Sequence, residues 1–156
     1  MLNNIEKLLD ELETRIHKSG HSDNSISITD VGWHIEHSFL VLNSITDALV
    51  KSDPIQFKRT FSFIRMLVFT FGKIPRGKGR APEIVKPKNL VSVNYLNEHL
   101  LKTRLKLKEL DLLDSGSYFR HPVFGDLRLH DAKKFLVIHT KHHLSIIDDI
   151  LKATGN

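Results

Sequence analysis

The residues of this chain best suited to chemistry are its histidines. Three of them, His139, His142 and His143, fall within five positions of the segment VIHTKHHLSII, between two apolar clusters. Stepping by four and three through that segment gives Ala132, Leu136, His139, His143, Ile146 and Ile150, a stripe that is apolar apart from its two histidines. The neighbouring line Phe135, Ile138, His142, Ser145, Asp149 turns polar at its C-terminal end. His139 and His143 are therefore expected on the core face one turn apart, with His142 shifted toward an edge. Two imidazoles at i and i+4 on one helix face can reach a single metal ion, the spacing that H-E-x-x-H zinc helices use.

Burying that pair without a cation leaves ring nitrogens in need of partners, at about 1–3 kcal/mol for each one unsatisfied. Protonating both would set like charges side by side in low dielectric. A divalent ion resolves both difficulties if another helix supplies a third ligand. The segment ITDVGWHIEHSFLVL offers one. Its line Val31, His34, Ser38, Val41, Ile45, Ala48 is an apolar seam in which a histidine replaces a hydrophobic residue, and the small Ser38 leaves room for a ligand or water. The line through His37 (Trp33, His37, Leu40, Ser44, Asp47) fades to polar, so His34 is the expected inward residue. The expected metal ligands are His34, His139 and His143. Three neutral imidazoles with one open position form a catalytic type of coordination set rather than a closed structural one. The competing reading is a metal-free polar core, with the rings bonded to backbone or to one another.

Helices must position these groups. Leu2, Ile5, Leu8, Leu9, Leu12 and Ile16 form one stripe over residues 2–18. Ser27, three residues before Asp30, resembles a capping box for a helix over about 28–51. Pro54 sits where a first helical turn tolerates a missing N–H, and opens a third helix reaching about Phe71. Residues 72–89 hold three of the eight glycines and three of the five prolines, so this stretch is expected to be an irregular connection. A fourth helix is expected over about 92–113 and a last one over about 129–153, joined by the irregular DSGSYFRHPVFGDLR. No alternation persists long enough to build a sheet. The expected fold is all-α, a four-helix bundle with an additional short helix or structured loops, in a single domain over 1–156.

The composition narrows the function classes. With no cysteine among 156 residues, thiolate metal sites, cysteine nucleophiles and disulfides are excluded, and any metal ligands must be His, Asp or Glu. The N-terminus lacks the apolar core of a signal peptide, and the longest apolar stretch, around FIRMLVFTF, is far short of the ~20 residues that span a bilayer. A cytoplasmic protein is expected, with no membrane segment. The net charge of +5 raises the question of nucleic acid. The densest basic cluster, Lys73, Arg76, Lys78 and Arg80, has none of the interleaved aromatics of such sites, so nucleic-acid binding is not expected. That loop reads either as a basic lip pairing with a carboxylate or phosphate on a substrate, or as a solvated connection.

ITDVGWHIEHSFLVL, followed by HPVFGDLRLHDAKKFLVIHTKHHLSII, resembles the DinB/YfiT-like superfamily of metal-binding four-helix bundles. With GKIPRGKGRAPEIVKP it resembles a bacterial branch of that superfamily with no assigned function. The resemblance spans roughly residues 25–150 and is most specific in the last forty. It implies a divalent ion, zinc or nickel, held by one histidine of the second helix and an H-x-x-x-H pair on the last, falling on His34, His139 and His143. Characterised members of the superfamily include transferases and isomerases in which the metal activates a low-molecular-weight thiol. The chain departs from the branch pattern at Arg128, where a capping Ser or Thr is usual, at Ala132 in place of an aromatic, and at Ile146 in place of a polar residue, which makes the pocket floor more apolar.

Other residues have two readings each. Glu36 and Glu98 are either acceptors or bases near the histidines, or solvated helix faces. His37 and His142 either support a ligand or line the rim, or lie on the surface. HPVFG is expected to form a turn that plugs one bundle end with Val123 and Phe124, with His121 as a structural hydrogen-bonding residue. The phenylalanines Phe61, Phe63, Phe69 and Phe71 read as core or as a homodimer surface. The expected function is a metal-dependent enzyme transferring a small thiol to a small-molecule electrophile, or else carrying out metal-assisted hydrolysis. The alternative is a non-catalytic metal- or ligand-binding bundle.

Overall fold

The computed structural model describes residues 2–77, 81–88 and 91–155. It is mostly helical, with one small sheet. Helix α1 (Leu2–Glu13) buries Ile5, Leu8, Leu9 and Leu12, the stripe expected from their spacing. It stops short of residue 18 because Thr14 Oγ1 and Arg15 Nη1 both donate to the Glu11 carbonyl. The Arg15 amide turns instead to Leu12, and the chain tightens into a 3₁₀ turn over Ile16–Lys18.

Helix α2 (Val31–Val50) is capped by Asp30, whose carboxylate accepts from Trp33 N–H at 2.7 Å. Asp30 rather than Ser27 sets the start of this helix, and Ser27 is left for another partner. The expected helix from Pro54 to Phe71 is split. Asp53 caps one 3₁₀ turn, Pro54–Gln56, and the Lys58 amide is then claimed by Asp126 at 2.9 Å, across the fold. Helix α3 (Phe63–Phe71) starts only at the Ser62 cap and ends where Gly72 adopts φ 63°, a left-handed conformation that favours glycine. Helix α4 (Val93–Leu107) is capped by Ser92 and continues as a 3₁₀ turn over Lys108–Asp111, short of the expected residue 113.

A sheet was not expected, and the structure corrects that reading. Strands β1 (Tyr118–His121) and β2 (Gly125–Arg128) form an antiparallel hairpin, with Tyr118 opposite Arg128 and His121 opposite Gly125. Four-residue strands are too short for period-two alternation to stand out. The turn is held by His121 Nδ1, which accepts from the amides of Val123 and Phe124 at 3.1 Å each, while the ring stacks on Phe124 at 4.1 Å. Phe124 is buried but Val123 is exposed, so one of the two expected plugs fills that role. Helix α5 (Leu129–Ala153) starts without a side-chain cap, because the guanidinium of Arg128 has no acceptor to offer the first amides, and it lies instead over the Phe57 ring at 4.1 Å.

Helix α2 packs against both α4 and α5, and α1 packs against the same two, so four helices enclose one core. The short α3 leans on α5 and leaves Phe61, Phe63 and Phe71 exposed, with Phe69 partly buried. Among the described residues no helix is long and apolar enough to cross a membrane.

Candidate metal centre

Three imidazoles converge between α2 and α5. His37 from α2 and His139 and His143 from α5 each offer one ring nitrogen, and these three atoms lie within 4.8 Å of one another. Ring centroids are 5.1 Å apart for His37 and His139, 4.7 Å for His37 and His143, and 4.6 Å for His139 and His143. The i,i+4 spacing on α5 puts its pair on one face, as the sequence indicates. The third ring is where sequence and structure part. His34 was the expected partner of the pair, yet the ring that closes the triad is His37, only 3% exposed. His34 is also buried, but its Nδ1 lies 2.9 Å from His143 Nδ1, beside the triad.

Fixed partners hold these rings. His37 Nδ1 lies 2.6 Å from the Val85 carbonyl. A carbonyl only accepts, so the proton is on Nδ1 and Nε2 carries a free lone pair. Trp33 stacks on the same ring, with centroids 4.9 Å apart and planes at 14°. His143 Nδ1 is engaged by His34, whose Nε2 reaches Ser27 Oγ at 3.0 Å and Thr29 Oγ1 at 3.2 Å. His139 Nδ1 is buried and has no hydrogen-bond partner.

Burial holds all of these rings neutral. Desolvation is the leading cause in each case, and it lowers His37, takes His34 down to about 4, and puts His139 and His143 well below the ordinary range. The mutual proximity of the rings lowers His139 and His143 further. Neutral imidazole is the form that binds metals. The donor set suits a borderline divalent cation such as zinc. The cluster could hold a metal ion.

The remaining candidates separate cleanly. Glu36 is buried, but it accepts from Tyr95 Oη at 2.9 Å and His99 Nδ1 at 2.8 Å, on the α4 side rather than from the triad. Glu98 is exposed. His142 is half-buried, edge-on to His143 with centroids 5.1 Å apart. His121 serves the hairpin turn. Of the basic loop, Arg76 is tied to α5 through Ser145 Oγ and Asp149 Oδ2, each at 2.7 Å, while Lys78 and Arg80 lie outside the described residues.

His37 was passed over because α2 has no single buried stripe: six consecutive residues, His34 to Phe39, are buried. The apolar run GWHIEHSFLVL around it was the available signal of a helix packed on several faces. The chain matches no family model, and neither the curated proteins nor the solved structures compared with it supply a match.

Proposed function

We propose that this protein is a divalent-metal-binding helical protein of the DinB/YfiT-like kind, with His37, His139 and His143 as ligands and zinc or nickel as the metal. The observation that carries the reading is the triad itself: three neutral imidazoles, each offering one ring nitrogen within 4.8 Å of the other two. Three protein ligands leave a position for an exogenous group. A metal bound there would supply Lewis acidity, lowering the pKa of a thiol or water. The chain's own residues do the rest. Val85 orients His37, Trp33 covers one face of that ring, and burial keeps the imidazoles unprotonated near neutral pH. Transfer of a low-molecular-weight thiol to a small electrophile is the reaction that this arrangement and the family resemblance together favour.

The test is elemental analysis of untagged protein by plasma mass spectrometry. About one divalent ion per chain is expected, lost in His37→Ala and in the His139→Ala/His143→Ala double variant. No metal, and no uptake on titration with zinc or nickel, would leave a metal-free polar core and move a non-catalytic binding role to first place. With metal present, thiols screened against electrophiles would separate a transferase from a binding protein. Homodimerisation through the exposed apolar face of α3 is part of the proposal, and a monodisperse monomer in light scattering at high concentration would remove it.

A further inference from the structure

The proposed ligand set leaves one buried imidazole beside it without a role. Both ring nitrogens of His34 are taken within the protein: Nδ1 by His143 Nδ1 at 2.9 Å, and Nε2 by Ser27 Oγ at 3.0 Å and Thr29 Oγ1 at 3.2 Å. We propose that His34 is a positioning residue that accepts the Nδ1–H of His143, donates its own Nε2–H to the Ser27–Thr29 pair, and thereby leaves the lone pair of His143 on Nε2 free for a cation. This inference rests on the metal-binding reading above.

Proton placement decides the direction. Two ring nitrogens 2.9 Å apart share one proton, so one ring donates and the other accepts. Were His34 the donor, the proton of His143 would sit on Nε2. No acceptor meets it there among the described residues, and none of the three triad rings is hydrogen-bonded to another. That arrangement would leave His143 a ring with no lone pair for a metal. With His143 as donor, each atom has a use. His34 Nδ1 accepts, and its Nε2–H finds two hydroxyl oxygens that lie 3.0 Å apart.

The far end of the relay is itself anchored. Ser27 Oγ accepts from the Thr29 amide at 3.2 Å, and Asp30 has taken over the capping of α2, so Ser27 is free to face the ring. His37 has the same plan in simpler form, its Nδ1–H fixed by a carbonyl. Outer partners of this kind select the tautomer of a ligating histidine and typically change metal affinity by about 10–100-fold when removed.

Two readouts test the relay. In the first, long-range proton–nitrogen spectra of the metal-free ¹⁵N-labelled chain assign the tautomers. Wild type should carry the His143 proton on Nδ1, His34→Leu should lose that preference, and His34→Gln, whose side-chain oxygen can accept the same proton, should restore it. In the second, zinc affinity is measured by competition with a chromophoric chelator. His34→Leu should bind about 10–100-fold more weakly at an unchanged stoichiometry near one, with most of the loss recovered in His34→Gln. Thermal melts followed by circular dichroism exclude unfolded variants. Finding the wild-type His143 proton on Nε2 would overturn the proposal. So would a His34→Leu affinity equal to wild type, or a loss of zinc as complete as in His37→Ala, which would make His34 a ligand. Absence of zinc uptake by wild type would sink the metal-binding reading alone, since the tautomer spectra decide the relay without metal.

Discussion

Helix α2 buries polar side chains toward two neighbours, and the two sides are built differently. Toward α4, Glu36 accepts from Tyr95 and His99, His99 Nε2 pairs with Asn43 Nδ2 at 2.9 Å, and the same amide reaches Thr103 Oγ1 at 3.1 Å. Every donor in that chain meets an acceptor, and only Asn43 Oδ1 is left over. Toward α5, four imidazoles gather, and the three that point to a common centre are not bonded to one another. The first side is a closed network, which fixes how two helices pair. The second keeps its lone pairs in hand. A buried polar atom without a partner costs stability, and on the α5 side His139 Nδ1 is such an atom, in a group of rings that could hold a cation, whereas the α4 side is a hydrogen-bonded network as it stands.

That contrast can be broken from either side. The largest effect should come from the triad: His37→Ala should abolish stoichiometric metal binding while the far-ultraviolet circular dichroism stays helical, because α2 keeps its other buried side chains. A retained ion in this variant would mean that the ligands are chosen elsewhere. On the closed side the pattern should invert. Glu36→Ala strands the Tyr95 and His99 donors and should lower stability by about 2–3 kcal/mol in urea denaturation, with metal stoichiometry unchanged. If metal binding fell along with stability, the two sides would be one coupled network.

Acid should act through the histidines. His34 and His121 sit at about 4 in the folded chain, against an ordinary value of 6.5, because burial disfavours the imidazolium. Below 6.5 the unfolded chain therefore binds more protons than the folded one. Stability is at its full value above about 6.5 and is lost progressively as pH falls toward 4. Melting temperatures of the metal-free protein at pH 7.5, 6 and 5 should decline in that order, and less steeply in His34→Gln. A flat profile would show that these rings are protonated without cost. The smallest effect belongs to the surface. Arg104 bonds Glu6, Asp10 and Glu13 from α4 to α1, all partly solvated, and Arg104→Ala should cost under about 1 kcal/mol, shrinking further in high salt. A larger, salt-insensitive loss would place that cluster with the buried networks instead.

Much of the helical frame could be read from the chain. The stripes of α1 and α5 were plain because each helix has one buried side, and a side repeating every three or four residues leaves a one-dimensional pattern. The Arg128 start of α5, without a capping side chain, was legible for the same local reason. The break before α3 was not, since it depends on a hydrogen bond from Lys58 to Asp126, and neither residue announces the other. The hairpin was missed because its strands are short and its turn is held by the His121 ring.

At the candidate site the sequence by itself determined that His139 and His143 share a face one turn apart, since helical geometry over four residues admits little else. It also determined that any metal ligands must be nitrogen or carboxylate groups, in the absence of cysteine. Only the tertiary structure decided which ring of α2 meets that pair. His34 and His37 are both buried and differ by three residues, roughly one turn, so local periodicity ranks them poorly. That His37 joins the triad while His34 lies beside it, against His143, depends on how α2 is rotated against α5, about a hundred positions away in the chain, and on a connecting loop that brings the Val85 carbonyl to His37. Rotation and loop path follow from packing among distant elements, which leaves no periodic trace in the residues that it positions.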